Sequence, residues 1–241
     1  MPILARHLLR SSISPFSRQK LQSGIAMSVR AFSSYVIAPS ELASALNSPP
    51  AGSRIVTVSG DWYLPNDGRN GYAEYLKRRI PGARFFDQDK VKDLHSPYPH
   101  MLPTGETFAA AMSELGIQRD DTVVVYDSPH LGIFAGPRVA WIFRVFGHPK
   151  VHLLNNFKLW VEHGLPTEAG PAAACEKTQY PVVQPRSDMA VSFEEMARLS
   201  KEGTKEGVEI VDARPNARFW GEAPEPRPGA CLPGGECRRF G

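Results

Sequence analysis

The 241-residue chain holds few groups able to act as nucleophiles or metal ligands, and their spacing limits what they can do. Its three cysteines are Cys175, Cys231 and Cys237. Three are too few for a disulfide framework in a chain of this size. Their spacing fits no zinc pattern either. Ser128 and His130 share one Gly/Pro-bearing loop, a combination that suggests hydrolysis, but no G-x-S-x-G elbow surrounds the serine. Arg144 and His148 close a strongly apolar stretch and read as ordinary helix-end residues.

The elements that must position these groups alternate. Ser40-Glu41 followed by Leu42, Ala45 and Leu46 reads as a short helix, and Arg54 to Val58 as a strand. Tyr72 to Arg79 suits a helix that Pro81-Gly82 ends. Ala83 to Phe86 reads as a strand, followed by a long polar loop from Asp87 to Pro103. Thr104 caps a helix bearing Phe108, Ala111, Met112 and Leu115, with Gly116 just past its end. Thr122 to Tyr126 (TVVVY) is a continuous β-branched run, as expected of a strand buried on both faces. Residues 127–136 form a loop, Arg138 to Phe146 a helix, Val151 to Leu154 a strand, and Phe157 begins another helix. Strands alternating with helices imply an α/β unit with a mainly parallel sheet.

Residues 165–187 break this pattern, with four prolines and no regular apolar period. A second unit follows. Ser192 to Glu195 is a capping box that opens a helix with Met196 and Leu199. Val208 to Val211 (VEIV) reads as a strand, closed by Asp212-Ala213-Arg214. Helix then strand repeats the opening order of the first unit, so the chain reads as a tandem duplication. The expected divisions are a leader at 1–32, a first domain at 36–165, a linker at 166–187, and the start of a second, incomplete domain at 188–241 with a divergent tail from about residue 230.

Charge is concentrated at the start. Residues 1–32 contain Arg6, Arg10, Arg18, Lys20 and Arg30, and the first acid of the chain is Glu41. An arginine- and serine-rich, acid-free start describes a mitochondrial transit peptide. Arg30-Ala31-Phe32-Ser33 looks like a processing site cut after Phe32, and Met27 offers a start for a shorter, cytosolic product. The formal charge is +3, yet past residue 32 the chain has 23 bases against 25 acids. The basic balance therefore belongs to the leader and does not favour direct nucleic-acid binding. No run approaches the length of a membrane-spanning helix.

Taken together, the motifs resemble the two-domain rhodanese family, the mitochondrial thiosulfate and 3-mercaptopyruvate sulfurtransferases. The matching pieces are Asp61-Trp62-Tyr63-Leu64-Pro65, Arg79-Ile80-Pro81-Gly82-Ala83, Phe85-Phe86-Asp87 and Ser96 to Pro103 (SPYPHMLP). They continue with Val123 to Asp127, Gly136-Pro137-Arg138-Val139 and Phe143 to His148. Val211-Asp212-Ala213-Arg214, Arg218 to Glu222 and Pro224 to Arg227 (PEPR) complete the set. The sequence departs from the family at Ser59, at Arg79 and at Asn156-Phe157, where the family usually carries Asp, His and a Gly-Gly pair.

The resemblance implies two rhodanese-like domains, each a parallel sheet flanked by helices, the first non-catalytic. The second would carry a nucleophilic cysteine in a C-x-x-G-x-[ST] loop whose backbone N–H groups favour a thiolate and its persulfide. Sulfur would pass from 3-mercaptopyruvate or thiosulfate to a thiophilic acceptor, which includes thioredoxin or a sulfur-relay protein, with no metal or organic cofactor. That cysteine loop does not occur in the 241 residues. Cys231 and Cys237 neither follow a buried strand nor precede a helix, so this chain is expected to be inactive. The resemblance assigns substrate-facing roles to Arg218 and Arg227, whose planar forks suit a carboxylate or sulfonate. It assigns a proton-relay role to Asp89 and His100, and support of the catalytic loop to Asp212 and Arg214. The alternative function is a non-catalytic rhodanese-like binding or regulatory module built on the complete first domain.

Overall fold

A computed structural model describes residues 31–202 and 209–223. The first region is a five-stranded, all-parallel sheet in the order β1-β5-β4-β2-β3. The strands are β1 (Val36–Ile37), β2 (Ile55–Ser59), β3 (Arg84–Phe85), β4 (Thr122–Tyr126) and β5 (Val151–Leu154). Between and after them run α1 (Pro39–Asn47), α2 (Gly71–Lys77), α3 (Gly105–Glu114), α4 (Gly136–Val145) and α5 (Phe157–Glu162). Strand β1 escaped the sequence reading because two residues carry no alternation to detect.

The central strand β4 shows why its sequence is apolar throughout. Val123 and Val125 face one core with Val58, Phe108, Met112, Val139 and Phe143. Val124 and Tyr126 face the other with Leu42, Tyr75, Phe157 and Trp160. Alternation sends successive residues to opposite faces, and helices cover both. Phe32 also lies in the second core, 5% exposed and edge-on to His152. The helix starts follow their caps. Thr104 accepts the Thr107 N–H at 3.2 Å and Asn70 accepts that of Ala73 at 3.0 Å.

Helix α2 ends at Lys77 rather than Arg79. Arg79 is freed to turn inward, where it is 2% exposed. It donates to Glu168 Oε1 at 2.7 Å, Gly170 O at 2.7 Å and Pro171 O at 3.2 Å, and lies over the Tyr75 ring. These bonds change the picture of residues 166–187 drawn from composition. The segment has no helix of its own, but it is strapped onto the first domain. Tyr180 is 5% exposed within the first core, against Phe108. Its hydroxyl meets His148 Nδ1 at 2.8 Å, and the Arg186 N–H bonds Val145 O at 2.9 Å. His148 is accordingly a buried core residue rather than an ordinary helix end. Its Nε2 lies 3.0 Å from Asp121 O, a carbonyl that can only accept, so Nε2 carries the proton and Nδ1 accepts from Tyr180. Burial holds the imidazole down at about 4.

Beyond the strap come α6 (Phe193–Glu202) and α7 (Asn216–Phe219). Helix α6 starts as its capping motif indicates, with the Glu195 N–H on Ser192 Oγ at 3.1 Å. The strand expected at 208–211 does not form over its described residues 209–211, and Val211 is 82% exposed. A β-branched run becomes a strand only where a neighbouring strand completes its hydrogen bonds.

Candidate functional site

In a parallel α/β sheet the loops leaving the carboxyl ends of the strands share one edge, and reactive groups gather there. Three of the loops that leave this edge carry such groups. One follows β2 and carries Asp61, Trp62 and Tyr63. The second follows β3 and carries Asp89 and His100. The third, residues 127–135, joins β4 to α4.

The third loop is folded as an anion cradle. The N–H groups of Phe134, Ala135 and Gly136 point at the Asp127 carboxylate, at 2.7, 3.1 and 2.6 Å. The start of α4 adds its dipole to these donors. Gly136 eases the fit, because a Cβ there would lie 3.2 Å from a carboxylate oxygen and press it aside. Burial pushes the Asp127 carboxyl up to about 6, and the three amides hold it back from a larger rise. Ser128, beside it, is hydrogen-bonded to the Tyr63 hydroxyl. His130 instead faces Glu74 at 3.7 Å. Serine and histidine of this loop thus point to different partners and form no hydrolase pair.

Asp61 lies 4% exposed at the same edge. Burial, then the nearby charge of Asp127, raises its carboxyl to about 8. Gln88 Nε2 donates to Gly60 O at 2.9 Å and ties the second loop to the first.

The second loop brings Asp89 and His100 together. His100 Nε2 is 2.8 Å from Asp89 Oδ1, and the Trp62 ring stands edge-on to the imidazole at 4.8 Å. His100 has φ 56°, the left-handed region that a non-glycine residue rarely enters. Its side chain is 17% exposed while that of Asp89 is 63% exposed. The imidazole is therefore walled by protein, and its carboxylate partner is open to solvent.

Asp212 and Arg214 form a second pair. Arg214 Nε and Nη2 lie 2.8 and 2.6 Å from Asp212 Oδ2, and this guanidinium holds the Asp212 carboxyl below its usual range. Arg218, on α7, adds a further favourable charge to Asp212. Arg227, Cys231 and Cys237 lie outside the described residues. Cys175 sits on the strap, with its thiol 3.4 Å from Glu114 O. The cradle around Asp127 and the buried Asp61 were not singled out in the sequence. Both lie within matched motifs and close behind apolar strands, Asp127 directly after β4 and Asp61 one glycine after β2.

The arrangement defines an α/β protein whose reactive edge lies at the carboxyl ends of parallel strands, with a built anion cradle at the start of α4. Its similarities agree. A probable 3-mercaptopyruvate sulfurtransferase of Schizosaccharomyces pombe is 42% identical over 177 residues, covering 73% of this chain and 59% of its own length. The crystal structure of Tum1 from Saccharomyces cerevisiae matches with a TM-score of 0.73 at 40% identity, over 83% of this chain and 66% of that one. SseA from Escherichia coli, a 3-mercaptopyruvate sulfotransferase of rhodanese fold, matches with a TM-score of 0.69 at 34% identity, over 80% and 71%. The chain belongs to the rhodanese-fold sulfurtransferase family. It spans roughly three fifths of the length of the curated relatives it matches. No family model matches the chain.

Proposed function

We propose that this protein serves the transfer of sulfane sulfur from 3-mercaptopyruvate or thiosulfate to a thiophilic acceptor, a small thiol or a sulfur-relay protein such as thioredoxin, and that the described domain is its non-catalytic half. The observation that carries this reading is the occupant of the cradle. At the position where three amides converge, this domain has the carboxylate of Asp127 and no thiol. The reactive cysteine of such an enzyme then belongs to another unit.

With 3-mercaptopyruvate as donor, a thiolate attacks the donor sulfur and a persulfide forms as the carbon–sulfur bond breaks. The electron pair of that bond stays on the carbon, which takes up one proton to give pyruvate. The persulfide acid releases the proton that balances this step. An imidazole held by a carboxylate, as His100 is by Asp89, suits carrying it. Arg218 and Arg227 suit the donor's carboxylate, and the Asp212–Arg214 pair suits bracing a neighbouring loop. The acid-free leader supports delivery to the mitochondrial matrix, with Met27 starting a cytosolic form.

The test is thiocyanate formation from either donor and cyanide by the 241-residue protein purified from mitochondria, with its N-terminus read by mass spectrometry. No turnover above buffer and a start near Ser33 are expected. Turnover abolished by C231A or C237A contradicts the assignment of the chemistry to another unit, and an intact Met1 contradicts the import reading.

A second reading is a binding module without sulfur chemistry. The exposed Leu64, Ile133 and Phe134 favour it, standing in the loops around the filled cradle as an apolar rim suited to contact.

A further inference from the structure

The three residues that follow Gly60 are fixed at both ends and free in the middle. Asp61 and Tyr63 are 4% and 5% exposed, whereas Trp62 is only half-buried. Tyr63 is anchored by its hydrogen bond to Ser128. Asp61 is pressed against α2 so closely that a Cβ on Gly71 would lie 2.1 Å from its carbonyl oxygen. Between these anchors Trp62 turns its ring onto His100. The hydrogen-bond partner of His100, Asp89, is largely in solvent, so the Trp62 ring is the protein surface against which the imidazole rests.

We propose that Asp61-Trp62-Tyr63 is a positioning element for His100, in which the proton on the buried Asp61 carboxyl decides whether Trp62 holds the imidazole in place. The surroundings of Asp61 supply the reason. From the end of β4 it is faced by Asp127 and the Tyr126 hydroxyl, from α2 by Glu74, and from its own segment by Tyr63. The Ser59 hydroxyl and the Ser128 backbone N–H favour its ionised form, but less than burial and Asp127 oppose it. Asp61 Oδ1 and Ser59 Oγ are both buried without a well-formed hydrogen bond. The nearby basic groups engage its neighbours: Arg69 lies 4.6 Å over the Tyr63 ring, and His130 faces Glu74.

A protonated Asp61 is a neutral, tolerable occupant of this place. An ionised one is a buried charge beside two others of the same sign. Its relief is to give up this anchored place and shift toward water, and Trp62, the next residue, shifts with it. Burial and Asp127 bring that ionisation to about 8, a mildly alkaline pH. Asp61 and Trp62 act through His100 and touch no substrate.

This inference deepens the proton-carrying role given to His100 above. Its test reads the position of a ring rather than turnover, so its failure is distinguishable from failure of the sulfur-transfer reading. The experiment is an NMR titration of the His100 imidazole in the full chain, its resonance assigned by its loss in H100Q. The wild type is expected to show a second inflection near pH 8, beyond the titration of His100 itself. D61N, which keeps the shape and cannot ionise, is expected to lose that inflection, and so is W62L. A single inflection in the wild type, or a second one that survives in D61N, overturns the proposal. Should D61N fail to fold, W62L decides alone, because it leaves Asp61 in place. A second inflection that persists in W62L then overturns it.

Discussion

Phe108, in the first turn of α3, and Phe193, the first residue of α6, are the leading aromatic residues of two capped helices, and their surroundings differ completely. Each follows a hydroxyl cap, Thr104 for the first and Ser192 for the second, and each begins an apolar stripe. Phe108 is 1% exposed, stacked on Phe146 and edge-on to Phe143 and Tyr180. Phe193 is 82% exposed. Both helices are capped, and what differs is the layer underneath. Helix α3 has a sheet to cover. Helix α6 has no strand near it in sequence among the described residues, since 209–211 do not pair. An amphipathic helix draws most of its stability from the surface it buries.

The largest expected effect exploits that contrast. F108A should cost about 3–5 kcal/mol through lost burial and the cavity left behind. F193A should change stability by no more than about 0.5 kcal/mol. Urea denaturation of the two variants checks this, and a loss in F193A approaching that of F108A would remove the distinction between the regions.

A second effect concerns pH. The buried carboxyls with raised values, Asp61 near 8 and Asp127 near 6, both lie in the packed region. Unfolding returns each to an ordinary value near 3.8, so the folded form binds more protons above that point. Their contribution is complete below pH 3.8 and is lost as pH rises through 6 and then 8. His148 works in the opposite sense, since its folded value near 4 lies below the unfolded 6.5. Its contribution is present above pH 6.5 and is lost as pH falls through 4. Between pH 6 and 8 Asp61 should dominate, with a decline of at most about 1.4 kcal/mol per pH unit. D61N should flatten that decline and exceed the wild type above pH 8. Urea midpoints across this range measure it, and a wild-type midpoint that does not fall between pH 6 and 8 excludes a buried, protonated Asp61.

The smallest effect sharpens the border between the regions. With the strap bonded by Arg79 and Tyr180, limited proteolysis of the wild type should begin beyond Arg186 and spare residues 166–187. R79A leaves the carbonyls of Gly170 and Pro171 without this donor and should cost about 1–3 kcal/mol, moving early cleavage into the strap. First cleavage of the wild type between Leu165 and Arg186 would restore the picture of a free linker.

The sequence by itself determined the order of the five helices and of four of the five strands in the first region, the double burial of TVVVY, the caps at Thr104 and Ser192, and the family. These rest on local periods, on residues within one turn of each other, or on runs of matched motifs, all visible along the chain. It also placed Asp89 with His100 and Asp212 with Arg214 as pairs, through the family resemblance. Only the tertiary structure decided that a proline-rich stretch without period is a strap. Its hold depends on Arg79 reaching Glu168, 89 residues on, and on His148 reaching Tyr180, 32 residues on. The tertiary structure likewise decided that VEIV is no strand over its described residues, since strand formation depends on a partner and not on β-branching alone. Asp61 and Asp127 look like ordinary loop acids in the sequence. Their burial follows from the packing of α2, β4 and the start of α4 around them, and a carboxyl's proton affinity is set by what surrounds it in space.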